Sequence, residues 1–115
     1  MAAWHRVAKI QDLQEGQGVL CTLEGRGIAL FKSGGQFFAM DNQCPHRGAS
    51  LSEGEVKEGV LTCPWHAWQF EVKNGCLLEN PEVKLQCFPV KVEGEDIYIL
   101  GSGEGFALRR IWKII

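Results

Sequence analysis

Two short motifs, Cys44-Pro45-His46 and Cys63-Pro64-Trp65-His66, stand sixteen residues apart and constrain this chain more than any other feature. The chain holds only three histidines, and two of them sit beside cysteines in these motifs. Cysteine and histidine clustered in this way signal a metal rather than two incidental core thiols. A fold for this sequence must therefore hold two loops side by side, each presenting one sulfur and one imidazole.

The flanking sequence reads as short β-strands punctuated by glycine. Gly18–Leu23 is rich in apolar and β-branched residues and leads into the turn Glu24-Gly25-Arg26-Gly27. Ile28–Lys32 and Gln36–Met40 flank Ser33-Gly34-Gly35, a hairpin signal. Phe88–Val92 and Ile97–Leu100 flank Glu93-Gly94-Glu95-Asp96, a second such signal. In that pair Val90, Val92, Ile97 and Ile99 alternate with the period of strands facing a core on one side. With 14 glycines and few long helical patterns, the fold class expected is all-β. The stretch Asp41–Pro81 differs: it holds three of the four prolines and both Cys/His motifs, a composition suited to specially shaped loops on a β scaffold. No internal repeat or low-complexity linker divides the chain, and 115 residues leave room for one domain.

The order of the ligands narrows the metal. A structural zinc site usually pairs like with like, C-x₂₋₄-C and then H-x₃₋₅-H. Here each arm supplies one thiolate and one imidazole, which suits a dinuclear cluster whose two irons differ, one held by thiolates and one by imidazoles. At this point the sequence resembles the Rieske family, through CPHRGASLSEG (44–54) and CPWHAWQF (63–70), over most of its length.

That resemblance implies a sandwich of three antiparallel sheets with an inserted cluster-binding lobe. On this chain the base would comprise 1–41 and 82–105, the lobe 42–81 and a tail 106–115. It implies a [2Fe–2S] cluster, with Cys44 and Cys63 on the buried iron and His46 and His66 on the outer one. It places a third, covering loop at Asn80-Pro81. High-potential relatives carry a disulfide between the ligand loops, at positions occupied here by Ala49 and Trp65. They also carry serine and tyrosine hydroxyls two and four residues after the last histidine, where this chain has Trp68 and Phe70. The function implied is a soluble Rieske ferredoxin, carrying single electrons from a reductase to a terminal oxygenase or similar enzyme. A second resemblance, in length and motif style, is to the small Rieske-like subunit of an assimilatory nitrite reductase. A structural zinc module of the same fold is a third possibility. In none of these would the chain be an enzyme by itself, since the sequence signals no nucleophile and no open metal position.

The remaining features have plainer readings. Cys21, Cys76 and Cys87 read as buried small hydrophobes. Trp65 and Trp68 read as packing for the cluster lobe, His5 as a surface residue of the first strand, and Glu53, Glu55, Lys57 and Glu58 as a solvated face. In the tail, Leu108, Ile111, Trp112 and Ile115 fall at i, i+3, i+4 and i+7, an amphipathic helix in miniature that would pack on the protein's own body. A net charge of −2 argues against nucleic acid as a partner. No segment approaches the roughly 20 apolar residues of a membrane helix, and the first residues lack a signal-peptide core. Redox proteins are the expected partners, and the chain reads as cytoplasmic.

Overall fold

The glycine-punctuated apolar runs become ten strands in a computed structural model that describes residues 3–44, 50–64 and 68–101. They are β1 (Ala3–Lys9), β2 (Gly18–Leu23), β3 (Arg26–Ser33), β4 (Gln36–Asp41), β5 (Glu55–Lys57), β6 (Val60–Thr62), β7 (Gln69–Glu71), β8 (Cys87–Phe88), β9 (Val90–Glu93) and β10 (Asp96–Gly101). The only helical elements among the described residues are single 3-10 turns at Ile10–Asp12 and Leu51–Glu53. No helix among these residues is long and apolar enough to cross a membrane. The strands form three sheets, ordered β1-β10-β9, β2-β3-β4-β8 and β5-β6-β7. Every strand pair is antiparallel. The expected all-β class and three antiparallel sheets are therefore what the chain adopts.

Two-residue turns set the registers. Leu23 pairs with Arg26, Ser33 with Gln36 and Lys57 with Val60. The central residues of these turns all have positive φ: Glu24 (53°) and Gly25 (81°), Gly34 (61°) and Gly35 (80°), Glu58 (54°) and Gly59 (80°). Positive φ at both positions matches the right-handed twist of the strands, and Asn-Gly and Gly-Gly suit it best. The first turn is thus tighter than the four-residue turn expected at Glu24–Gly27, and β3 starts at Arg26. Glutamate in the left-handed region is uncommon, whereas asparagine is enriched there. Glu58→Asn is expected to raise stability by roughly 0.5–1 kcal/mol, read as a higher urea midpoint at unchanged slope. An unmoved or lower midpoint would show that Glu58 makes a compensating contact.

The middle sheet separates two cores. In β3 the four residues Ile28, Ala29, Leu30 and Phe31 are all fully buried. Because strand side chains alternate, they divide between the faces. Ile28 and Leu30 join Ala8, Leu13, Cys21, Leu23, Ala39, Phe88, Ile97 and Ile99 on one side. Ala29 and Phe31 join Met40, Cys44, Leu51, Val56, Leu61, Cys63, Phe70, Val72, Leu77 and Leu85 on the other. The second core holds both motif cysteines and the inward residues of the β5-β6-β7 sheet.

One expected element is split. Phe88–Val92 reads as a continuous strand, but Pro89 divides it: β8 pairs with β4, while β9 pairs with β10 in another sheet. Proline has no N–H for the ladder, so it is a natural place for the chain to change sheets. Its carbonyl still accepts from the Leu100 N–H at 3.0 Å. Val92, expected to face a core, lies on the edge strand β9 and is 41% exposed, whereas Ile97 and Ile99 are fully buried.

Candidate metal centre

Cys44 and Cys63 stand at the roots of two loops, and each loop is closed at its base by hydrogen bonds. The first leaves β4 through Asp41-Asn42-Gln43. The Gln43 N–H donates to Asp41 Oδ1 at 3.0 Å, and Gln43 pairs with Ser50 across the loop. Asp41 is itself anchored by an ion pair with Arg26 on β3, and the Arg26 guanidinium lies 5.9 Å from the Phe88 ring centre. The second loop leaves β6, and the Cys63 N–H donates to the Trp68 carbonyl at 2.7 Å. The two ends of this arm, Cys63 and Trp68, are thereby held together.

Both cysteines are almost wholly removed from solvent, Cys44 at 1% and Cys63 at 2% exposure, and both belong to the core shared with Phe70 and Leu77. Trp68 is half-buried and packs on that core, its ring 6.4 Å from Phe70 at a tilt of 58°. The packing role expected of Trp68 is the one it has. Trp65, His46 and His66 lie outside the described residues, as does Ala49. The tail at 106–115, with its expected helix, also lies outside them.

A third loop follows β7. Leu78 N–H donates to Gln69 O at 2.9 Å, fastening this loop beside the Cys63 arm, and Leu77 N–H donates to Val83 O at 2.9 Å, closing it. Asn80 Oδ1 accepts from the Glu82 N–H at 3.3 Å, an Asx-type turn around Pro81. Asn80-Pro81 therefore occupies the tip of a loop adjoining the second arm.

The other cysteines differ from one another. Cys21 is buried as expected; burial, with the nearby Asp12 carboxylate, pushes its thiol pKa up. Cys76 is only half-buried, and Cys87 is exposed, which corrects the expectation for both. The reason for Cys87 is its place on the two-residue edge strand β8, where Phe88 takes the inward position. Its thiol nonetheless tucks against the Leu85 carbonyl at 3.8 Å, and burial raises its pKa against the opposing pull of Lys84. His5 is half-buried rather than a free surface residue, with Nε2 3.6 Å from Glu24 Oε2 and the ring close against Gly101. The acidic run is solvated as expected: Glu53, Glu55, Lys57 and Glu58 are all exposed.

Among the described residues, then, the donors fit the thiolate half of a mixed Cys/His cluster. Two thiols, donors of the soft kind, are buried in one apolar core, each at the root of a loop closed by hydrogen bonds, an environment in which burial and hydrogen bonding can tune a metal.

Comparison with known proteins places this arrangement. The family model described as the Rieske [2Fe–2S] domain matches residues 3–89. The ferredoxin component of the alkene monooxygenase system of Xanthobacter autotrophicus is 40% identical over 94 residues, 81% of this chain and 77% of that protein. Apoptosis-inducing factor 3 of Homo sapiens is 34% identical over 110 residues, 95% of this chain, which spans only 18% of that much longer protein. Among solved structures, the ferredoxin of carbazole 1,9a-dioxygenase from Nocardioides aromaticivorans superposes with a TM-score of 0.77 at 26% identity, covering 84% of this chain and 96% of its own. A structure assigned as the small subunit of an NADH-dependent nitrite reductase from Mycobacterium tuberculosis gives 0.81 at 26% identity, covering 88% and 96%. With a family match over most of the chain, two buried cysteines at the roots of closed loops and three antiparallel sheets, this protein belongs to the Rieske [2Fe–2S] family.

Proposed function

We propose that this chain is a soluble, cytoplasmic Rieske ferredoxin that carries single electrons from a reductase to a terminal oxygenase or similar enzyme. Cys44 and Cys63 hold the inner iron of a [2Fe–2S] cluster, and His46 and His66 hold the outer one, on a lobe formed by residues 42–81. The observation that carries this reading is the burial of both motif thiols in one core, each on a loop whose base is closed by backbone hydrogen bonds. When bound, the cluster supplies one reversible electron at a potential raised by its neutral imidazole ligands. The chain's own residues do the rest. The apolar core around Cys44 and Cys63 excludes water from the thiolates, and the closed loops hold the donors in one geometry. The chain has no catalytic residue of its own and acts through redox protein partners.

The test is to purify the protein anaerobically and titrate it with a reductant. About two irons and two acid-labile sulfides per chain are expected, with one electron taken up and one unpaired spin in the reduced state. Delivery of that electron to a ring-hydroxylating oxygenase should follow at stoichiometry. A colourless protein holding stoichiometric zinc after growth in iron-replete medium would overturn the reading.

The TM-score of 0.81 to the nitrite reductase small subunit supports a second reading, as the corresponding subunit of such an enzyme. Isolation as a free carrier favours the first reading, and co-purification with a large reductase subunit the second.

A further inference from the structure

The segment that joins the two arms is fixed on three sides. Asn42, two residues before Cys44, uses every polar group it has. Its N–H donates to Gly27 O at 3.1 Å, and its carbonyl accepts from the Leu51 N–H at 2.7 Å. Its side-chain Nδ2 donates to Ser50 Oγ at 2.8 Å, and Oδ1 accepts from the Ser52 N–H at 2.7 Å. Residues 50–52 are thereby tied to the root of the Cys44 arm.

The far end of the same segment lies against the other arm. A methyl group on Gly54 would stand 2.3 Å from the carbonyl oxygen of Thr62, the residue before Cys63, and 3.2 Å from that of Leu51. Gly54 has φ −81°, which any residue adopts, so glycine is required here for space and not for backbone freedom. On the third side a Cβ on Gly18 would meet Ser52 O at 2.7 Å. Leu51, fully buried between these contacts, fills the centre of the wedge.

We propose that Asn42 and Gly54 are positioning residues for the cluster, holding the segment 50–54 as a wedge of fixed width that sets the Cys44 arm against the Cys63 arm. This rests on the ligand assignment given above. A cluster bridging two arms requires their separation to match it, and residues that orient ligands from behind typically change metal affinity about 10–100-fold when lost. Asn42→Ala removes the two side-chain bonds of the tie and leaves its backbone bond to Leu51, and Gly54→Ala forces β6 away.

The experiment compares Asn42→Ala, Gly54→Ala, Asn42→Asp and Ile97→Ala, the last in the opposite core. The readouts are the half-time of bleaching under an iron chelator, the electron paramagnetic resonance spectrum of the reduced protein and the thermal midpoint. Asn42→Ala and Gly54→Ala are expected to bleach about tenfold faster, with shifted or broadened resonances. Asn42→Asp keeps an acceptor for the Ser52 N–H and another for a reoriented Ser50 hydroxyl, so it should bleach within about twofold of the parent. Ile97→Ala should lower the thermal midpoint and leave bleaching and resonance unchanged. Wild-type bleaching and spectra in both Asn42→Ala and Gly54→Ala would overturn the proposal, as would equal acceleration by Ile97→Ala. Should either variant not fold, Ser50→Ala, which removes only the hydroxyl's bonds to Asn42 Nδ2 and Ser52 Oγ, decides by the same two readouts. Cys44→Ala separates the premises: retention of a normal cluster there refutes the ligand assignment, whereas cluster loss there with normal Asn42→Ala and Gly54→Ala refutes only the wedge.

Discussion

Serine in place of Cys44 or Cys63 is expected to reduce bound iron to less than about a tenth of the parent value. A hydroxyl is a poorer match than a thiolate for iron in a sulfide cluster. Nor can water substitute, because both positions are 98–99% removed from solvent in an apolar core. The added hydroxyl would also need a hydrogen-bond partner there or carry the cost of an unsatisfied buried polar group. Alanine at His46 or His66 should act in the same direction by removing the outer ligands. The discriminating control is Cys→Ser at Cys21, Cys76 and Cys87, which should keep a full complement of iron and sulfide. The Cys21 and Cys87 thiols are pushed up in pKa by burial, which favours the protonated form over the metal-binding thiolate. Iron and sulfide assays with visible circular dichroism check the series, and full iron in Cys44→Ser would refute the assignment.

The second large effect is on the reduction potential. The midpoint is expected at the lower end of the Rieske range of roughly −150 to +300 mV, and a value above about +150 mV at neutral pH would refute this. The residue that decides this is Phe70, fully buried on β7 beside Trp68. The high-potential relatives have a tyrosine hydroxyl at this position, and phenylalanine offers no donor to stabilise the extra negative charge of the reduced state. A hydrogen bond to a charged acceptor contributes about 1.5–3 kcal/mol, equivalent for one electron to roughly 60–130 mV. Phe70→Tyr should therefore raise the midpoint by up to that amount in protein-film voltammetry. The midpoint should also fall as pH rises into the alkaline range. The oxidised iron favours loss of the outer imidazole protons more than the reduced iron does, so reduction binds protons above the oxidised-state pKa. A midpoint flat into strong alkali would mean that the imidazoles are shielded or are not ligands.

The sequence was most legible where local chemistry admits one answer. Gly34-Gly35 between apolar runs specifies its hairpin, and two Cys/His arms are improbable for any other purpose. It was least legible where tertiary partners decide. Alternation runs unbroken through Phe88–Val92, so only the loss of one ladder donor at Pro89 hints that the strand leaves one sheet for another. The three-residue strand β5 was hidden in a charged stretch, because Glu55 and Lys57 flank a single inward Val56. Asn42 reads as an ordinary polar loop residue, since its four hydrogen-bond partners come from Gly27 and from residues eight to ten positions away. Cys87 was misread because cysteine composition predicts burial and says nothing about position on an edge strand.

The doubly buried strand β3 bears on modularity. Ala29 and Phe31, with Met40 and Leu85, belong to the same core as Cys44 and Cys63, yet all four lie outside residues 42–81. The stretch that carries both buried cysteines is therefore no portable cassette: cut out and grafted elsewhere, it would leave behind one wall of the core that keeps its sulfurs dry. The partition beneath the loops, packed on both faces, has to change in step with both neighbouring cores at once.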